Sequence, residues 1–374
     1  MALVFTEEQE QLRSVVRDLL SDRSPEEQVR RLMETDAGFD EGVWRTMADI
    51  GLLGLAVEEE YGGAGGGFGE ICAVMEEMGR ALLPAPYLSS VVLATTALQL
   101  SGDADAKARW LPDLVSGNLR ATLAFVDDDG DWDLERTTTV AEQVGDQWRV
   151  RGVKNYVLDG HTADLVFVLA DTPEGLSLFA VDSASAELTS RRLTTLDQTR
   201  RLARVELDAA PATLIGRPGD ARDHLCAVRD LALVALSAEN VGGAQRVLDM
   251  SVEYAKLREQ FGRPIGSFQA IKHKCADMLT QLELARSLML SGQDVAVAKP
   301  DDLPKAAAMA KALSGDAYFT CTTENIQIHG GIGFTWEHPA HLYFRRAKSN
   351  QLLFGDATGH RARLAAMLDA EQGA

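Results

Sequence analysis

The sequence predicts an α+β multidomain protein in which a helical domain is followed by an antiparallel β domain and then by a helical bundle. Three observations lead to this fold class. The chain has 374 residues, a length that fits two or three packed domains. Apolar residues recur with helical spacing in the first and last thirds, and between them they alternate or form short apolar runs. We place the domains at residues 1–120, 121–212 and 213–374.

The first domain opens with an amphipathic helix. Thr6 and Gln9 form a capping box, and apolar residues over 12–20 then recur at helical spacing. A serine-proline pair at Ser24 is the start signal of a second helix. Helical spacing continues to Leu114, so the first third is predicted to be mostly helical.

The middle domain is predicted from a change in spacing after residue 120. Residues 148–151 and 203–207 alternate between apolar and polar side chains, and residues 165–169 form an apolar run typical of a buried strand. Glycine and aspartate separate these segments. No helical crossover lies between the strands, so the sequence predicts antiparallel pairing.

The last domain returns to long helical periods. They cover residues 225–257, 268–297 and 304–328, and a shorter one follows Gly359. Long helices joined by short loops are typical of a bundle. No internal repeat at a fixed period accompanies them.

The charge balance limits the possible partners. With 37 lysines and arginines against 56 aspartates and glutamates, the acidic surface opposes binding to nucleic acid or anionic lipid. No basic and apolar leader precedes Thr6, and no apolar run could span a bilayer, so we expect a cytoplasmic protein without membrane insertion. The four cysteines are isolated, which predicts reduced thiols and no metal site.

The glycine-rich segment 62–67 is predicted to be a turn between helices. It lacks the GxGxxG spacing and the preceding strand of a dinucleotide site. The sequence contains no GxSxG and no HExxH motif, and His338 with His341 is interpreted as a loop pair. These observations disfavour a hydrolase or a metalloenzyme.

Two segments of the last domain combine groups suited to a phosphate-bearing aromatic ligand. Residues 258–262 read Arg-Glu-Gln-Phe-Gly at the end of a long helix and offer a cation, an amide and an aromatic ring. Residues 327–331 read Gln-Ile-His-Gly-Gly, in which glycine lets a ligand approach the backbone closely. Each segment taken singly is also typical of an ordinary helix end.

With these two segments the sequence resembles the acyl-CoA dehydrogenase family, whose arginine-x-x-phenylalanine-glycine and glutamine-x-x-glycine-glycine motifs they match. Further matches follow in the family's order along nearly the whole chain. They are residues 5–8, 50–54, 110–112 with Gly117, 264–269, 333–334 and 345–348.

The resemblance implies the acyl-CoA dehydrogenase fold, with a helical amino-terminal domain, a middle antiparallel β-barrel domain and a carboxy-terminal four-helix bundle. It implies FAD as cofactor and α,β-dehydrogenation of an acyl-CoA substrate, in which a glutamate takes the α-proton. It further implies a dimer of dimers, with electron-transfer flavoprotein as electron acceptor. The residues that would hold the FAD whose flavin belongs to the neighbouring subunit are Arg258, Gln260, Phe261, Gln269, Gln327, Gly330 and Gly331.

The sequence departs from the family where the catalytic glutamate should stand. Counted without gaps from Gln327, that position is Phe354, which cannot take a proton. A second position, at which some relatives carry a base, falls near Ala232 and also lacks a carboxylate. The loop that wraps flavin and thioester is rich in aspartate over residues 126–131, and the flavin-facing residues 156–158 read Tyr-Val-Leu.

The retained motifs serve a neighbour's FAD, whereas those for the chain's own flavin and base are changed. The chain is therefore interpreted as similar to the base-less subunit of actinobacterial heterotetrameric, steroid-type acyl-CoA dehydrogenases, which completes the site of a glutamate-bearing second subunit. Two alternatives stay open. One is an autonomous homomeric dehydrogenase with Asp356 or Glu239 as a relocated base, and the other is a non-flavin acyl-CoA-binding or structural protein. The non-catalytic interpretation of Asp356 is a helix cap, and that of Glu239 is a buried ion pair.

Overall fold

The computed structural model describes residues 4–372, which form two compact units. The helical unit consists of the residues up to Arg30, Phe68–Leu83 and the residues from Leu233 onward. The mixed unit consists of Arg31–Gly67 and Pro84–Ala232. Helices at both ends of the chain and strands in its middle confirm the predicted α+β fold class. The boundaries placed after residues 120 and 212 stay a prediction.

The amino-terminal third is helical, as the sequence predicts. The predicted capping box begins the first helix, because the Thr6 hydroxyl accepts a hydrogen bond from the Gln9 backbone at 3.2 Å and Gln9 Oε1 accepts one from the Thr6 backbone at 3.1 Å. The α-helices are α1 (Glu7–Arg23), α2 (Glu26–Glu34), α3 (Glu41–Asp49), α4 (Phe68–Ala81), α5 (Thr96–Leu100) and α6 (Ala104–Val115). Short 3₁₀ turns cover Leu52–Gly54 and Glu59–Tyr61, and a π-helical segment covers Tyr87–Thr95.

The middle of the chain forms a seven-stranded sheet in the mixed unit. Its strands are β1 (Ala121–Ala124), β2 (Val140–Val144), β3 (Gln147–Leu158), β4 (Leu165–Thr172), β5 (Gly175–Asp182), β6 (Leu188–Arg192) and β7 (Leu202–Ile215). Neighbouring strands run in the order β1-β4-β2-β3-β7-β5, β6 pairs with β7, and β5 also pairs with β4. Because β4 and β5 are hydrogen-bonded, the sheet closes into a barrel-like ring.

Most of these pairings are antiparallel, as predicted, but two are parallel. Strand β1 pairs with β4 so that Ala121 lies opposite Leu165, and β2 meets β4 at Val140 and Asp171. Alternation in a sequence shows which face of a strand is buried, and it carries no information on the direction of the partner. The buried faces form a core that includes Val150, Val166, Val168, Phe179, Val181 and Val205.

The carboxy-terminal part is a helical bundle. Its helices are α7 (Ala221–Leu257), α8 (Gln269–Ala298), α9 (Leu303–His329), α10 (Ala340–Leu352) and α11 (Ala357–Gln372). The hairpin of β8 (Glu259–Gln260) and β9 (Arg263–Pro264) and the 3₁₀ turns Ile265–Ser267, Pro300–Asp302 and Gly330–Phe334 connect them. Helix α9 packs on α8, α10 and α11. Helix α7 joins α9 through buried side chains, because Asn240 Nδ2 donates to Ser314 Oγ at 3.2 Å and Ser251 Oγ donates to Asn325 Oδ1 at 2.8 Å.

Across residues 4–372 there is no helix that combines the length and the apolar character needed to cross a membrane.

Candidate functional site

The first predicted cofactor segment lies where α7 ends and α8 begins, in the helical unit. Arg258 directly follows α7, Gln260 and Phe261 lie on the β8–β9 hairpin, and Gln269 is the first residue of α8. All four side chains are exposed. Among the described residues, the Arg258 guanidinium has no carboxylate partner. Its charge is therefore available to an anionic ligand.

Phe261 is an exposed aromatic ring at the tip of this hairpin. Its side chain is 93% exposed, and its φ of 57° lies in the left-handed region, which the tight turn imposes. The ring stands edge-on to Phe268 at 6.1 Å, and the Arg263 guanidinium lies over Phe268 at 4.1 Å. One face of Phe261 is thus open to a planar ligand.

The second segment lies at the end of α9. Gln327 is exposed in the last turn of the helix, and Gly330 follows with a φ of 62°. A Cβ placed on Gly330 or on Gly331 would meet no atom within 4 Å, so the backbone is open on that side. The structure therefore offers amide and backbone donors next to free space.

A ring contact brings the two segments together. Tyr254, one turn before Arg258, stacks on His329 with ring centroids 4.3 Å apart. Burial lowers the pKa of His329, against the influence of its contact with the Asn325 carbonyl at 2.8 Å. This stack was not predicted from the sequence, and no spacing signal in the sequence points to it.

The groups assembled here fit FAD. An unpaired guanidinium and exposed amides suit a pyrophosphate, an open aromatic ring suits a flavin or adenine, and glycine permits close approach. No cluster of three or more potential metal ligands occurs in the part of the chain that the structure describes.

Phe354, which the sequence predicts at the position of the family's base, lies between α10 and α11. Its side chain is 4% exposed and its φ is 61°. The Phe354 carbonyl lies 3.0 Å from His360 Nε2, which fixes the loop. The structure thus shows a buried apolar ring at this residue, and its base position stays a prediction.

The two fallback bases have other contacts. Asp356 precedes α11, and its Oδ1 accepts a hydrogen bond from the Gly359 backbone at 2.8 Å, which is the geometry of a helix cap. Glu239 is buried in α7, where its Oε1 accepts from Arg346 Nη1 at 2.7 Å and from Asn350 Nδ2 at 3.2 Å. Both arrangements match the non-catalytic interpretations.

Lys311 is a buried lysine for which the sequence shows no motif. It lies in α9 with 1% of its surface exposed, and its Nζ donates to the carbonyls of Gly355 at 2.9 Å and Gln351 at 3.2 Å. These two carbonyls flank Phe354. Burial lowers the pKa of Lys311 to about 7, although Asp356 and Asp316 act in the opposite direction. Nothing in the sequence of α9 indicates that Lys311 contacts the loop around Phe354.

We expect a measurable pH dependence from Lys311. Between a folded pKa of about 7 and the ordinary value of 10.5, the unfolded chain binds a proton that the folded protein does not. The free energy of unfolding therefore rises with pH in this window. From pH 7 to pH 9, the wild-type protein should gain about 2 kcal/mol relative to Lys311→Met. Urea denaturation of both proteins at the two pH values measures this gain, and an unchanged difference would contradict it.

The aspartate-rich loop of the mixed unit is partly neutralised. Lys154, which is fully buried, donates to Asp127 Oδ1 at 2.6 Å, and Asp128 and Asp131 pair with Arg204 and Arg136. Burial opposes ionisation of Asp127, but Lys154 and hydrogen bonds from two threonines outweigh it, so the pKa of Asp127 is lowered. The net negative charge of the loop is therefore reduced.

An aromatic pair lies on the segment that would face a flavin. Trp132 stacks on Tyr156 with ring centroids 6.1 Å apart and planes 25° apart, and it meets Phe125 edge-on at 5.9 Å. Tyr156 has a φ of 51°, and Leu158 is buried. No motif in the sequence points to Trp132, because it lies within the acidic loop.

Comparison with known proteins defines the class. Residues 6–118 match the N-terminal domain of acyl-CoA dehydrogenases, and residues 232–368 match their C-terminal domain. The chain belongs to the acyl-CoA dehydrogenase family. Members of this family are FAD-dependent oxidoreductases that act on CH–CH groups, as the sequence resemblance implied.

One relative and two solved structures are similar to nearly the whole chain. The chain is 37% identical to the acyl-CoA dehydrogenase IpdE2 of Mycobacterium tuberculosis over 349 residues, which cover 93% of either chain. The Tcur3481-Tcur3483 steroid ACAD aligns with a TM-score of 0.90 and 32% identity, covering 98% of this chain and 99% of that one. The ChsE4-ChsE5 complex from Mycobacterium tuberculosis aligns with a TM-score of 0.89 and 29% identity, covering 99% of both.

Proposed function

We propose that the chain is the non-catalytic subunit of a FAD-dependent acyl-CoA dehydrogenase and completes the FAD site of a glutamate-bearing partner. The observation that carries this proposal is the buried apolar ring of Phe354, the residue that the sequence predicts at the position of the family's base. Because phenylalanine cannot take a proton, the α-proton of the thioester has to pass to a carboxylate of another chain.

The exposed groups of the two cofactor segments define what this chain contributes. Arg258 supplies a guanidinium for the pyrophosphate, Gln327 supplies an amide, and Gly330 leaves room for close approach. Phe261 offers an open ring face for stacking. When bound, FAD supplies the hydride acceptor of the dehydrogenation.

The mixed unit supports the same proposal. Because Trp132 stacks on Tyr156, it takes a ring face that Tyr156 would otherwise offer to a flavin of this chain. Leu158 has no hydroxyl with which to donate a hydrogen bond to such a flavin. A chain with these features contributes contacts to a neighbour's FAD and holds no flavin of its own.

The proposed partner is a second chain of the acyl-CoA dehydrogenase type, in a dimer of dimers. The similar structures Tcur3481-Tcur3483 and ChsE4-ChsE5 each carry the names of two chains, and the first is described as a steroid ACAD. A steroid-type acyl-CoA is therefore the proposed substrate, and electron-transfer flavoprotein is the proposed acceptor.

The alternatives have less support from the contacts described above. Asp356 is engaged as a helix cap, and Glu239 is engaged by Arg346. A protein without FAD would have no use for an exposed Arg258 without a carboxylate partner and for the open backbone at Gly330 and Gly331. The geometry therefore favours the helper subunit over a relocated base and over a non-flavin protein.

The stoichiometry of FAD tests the proposal. The chain is purified alone and together with a co-expressed glutamate-bearing relative, and FAD per chain is determined from flavin absorbance with mass from light scattering. We expect little flavin on the chain alone and one FAD per unlike pair after co-expression. A fully flavin-loaded, active homo-oligomer would refute the proposal, and a pair that binds no flavin would do so as well.

A further inference from the structure

A cavity of about 420 Å³ lies within the helical unit, between α1, α2, α4, α7 and α10. This volume is in the range of small-molecule sites. It is separate from the base position, because Tyr343 at its wall lies nine residues before the end of α10, roughly 14 Å along the helix axis. None of the predicted cofactor residues lines it.

One part of the cavity wall is apolar. The side chains that form it come from α1, α2, α7 and α10 and from the turn after α4, and all are buried. They are Leu20, Val29, Leu82, Met250 and Leu342. This surface suits the hydrocarbon body of a ligand.

The charged groups at the cavity leave one positive charge without a counter-ion. Among the lining residues, Arg17 is paired with Glu77 at 2.6 Å, and Arg80 is paired with Asp249 at 2.8 Å. Glu26, also at the wall, is paired with Arg30 at 2.7 Å. Arg246 has no carboxylate partner among the residues that the structure describes.

Two hydroxyl groups accompany Arg246. The Tyr343 hydroxyl donates to the Arg80 carbonyl at 2.7 Å, and the Arg246 side chain lies against its oxygen. Ser24 is 5% exposed and lines the cavity, yet its Oγ has no hydrogen-bond partner. A buried hydroxyl without a partner is costly, and a ligand atom in the cavity would satisfy it.

We infer that this cavity is a binding site for a small amphipathic carboxylate. The carboxylate lies against the Arg246 guanidinium and accepts from Ser24 Oγ, and its hydrocarbon body lies on the apolar wall. A neutral ligand leaves the Arg246 charge unmatched, and a doubly charged one finds no second unpaired cation among the lining residues.

Octanoate is a suitable probe, with octanamide as a neutral molecule of the same shape. Both are titrated calorimetrically into the purified wild-type assembly and into Arg246→Gln, Ser24→Ala and Arg361→Gln. Arg361 is an exposed arginine of the same unit that is paired with Asp316, so it serves as the matched control. Circular dichroism shows whether each variant is folded.

Octanoate should bind the wild-type assembly about tenfold more tightly than octanamide, and Arg246→Gln should weaken octanoate binding about tenfold or more. Ser24→Ala should weaken it about threefold, and Arg361→Gln should leave it unchanged. The inference is overturned if octanoate shows no saturable binding, if octanamide binds equally well, or if folded Arg246→Gln binds octanoate like the wild-type protein. The comparison of the two probes on the wild-type protein needs no variant.

Discussion

Replacing Arg258 with glutamine is expected to weaken the binding of FAD by the unlike pair about 30-fold. A charge-assisted hydrogen bond to a phosphate contributes about 2 kcal/mol, and this loss corresponds to that factor in the dissociation constant. The effect should be this large because no carboxylate in the described part of the chain competes for Arg258. Titration of the FAD-free pair with FAD, followed by flavin fluorescence, measures the dissociation constant directly.

The control variant for this experiment also removes one arginine charge, but at a residue outside the two cofactor segments. Arg361→Gln removes an exposed arginine at the end of the bundle and should leave the dissociation constant unchanged. If both variants bound FAD like the wild-type pair, Arg258 would not contact the cofactor. If Arg258→Gln prevented assembly, light scattering would reveal it before the titration.

The long helices could be predicted well because their signal is local. The predicted period 268–297 is α8, and 304–328 is α9 within a residue at each end. The capping box at Thr6 has the predicted reciprocal hydrogen bonds, because it requires only side chains within one turn. Such features depend on neighbours in the sequence and are visible in it.

The sheet topology was harder to predict from the sequence than the helices. The parallel pairing of β1 with β4 joins residues that are far apart in the chain, and alternation carries no information on a distant partner. The ring formed by β4 and β5 with the strands between them has the same origin. Long-range pairings of this kind follow from the packing of the whole core.

In the candidate site, too, local motifs could be predicted from the sequence and long-range contacts could not. Motifs predicted Arg258 and Gln327 as cofactor residues, and counting from Gln327 gave Phe354, whereas contacts made by tertiary packing could not be predicted. Trp132 over Tyr156 and Lys311 below the Phe354 loop both arise between elements with no fixed spacing. A lone lysine or tryptophan has no sequence signature, so only the packed structure reveals what it contacts.

Glu239 is the fallback base whose replacement should have the largest effect on stability. Glu239 and Arg346 are 2% and 3% exposed, and their side chains are 2.7 Å apart. Glu239→Gln removes a charged partner of the buried Arg346, which is expected to lower the free energy of unfolding by about 3–5 kcal/mol. Urea denaturation followed by circular dichroism measures this loss.

Two further variants distinguish a structural role of Glu239 from a catalytic role. Replacing the pair together, as Glu239→Leu with Arg346→Met, should restore most of the stability, because both charges of the buried pair are removed. Arg361→Gln breaks an exposed pair and should cost less than about 1 kcal/mol. A relocated base predicts the opposite pattern, in which Glu239→Gln abolishes turnover while stability hardly changes. Loss of turnover in the stable double variant would therefore identify Glu239 as the base and contradict the helper-subunit proposal.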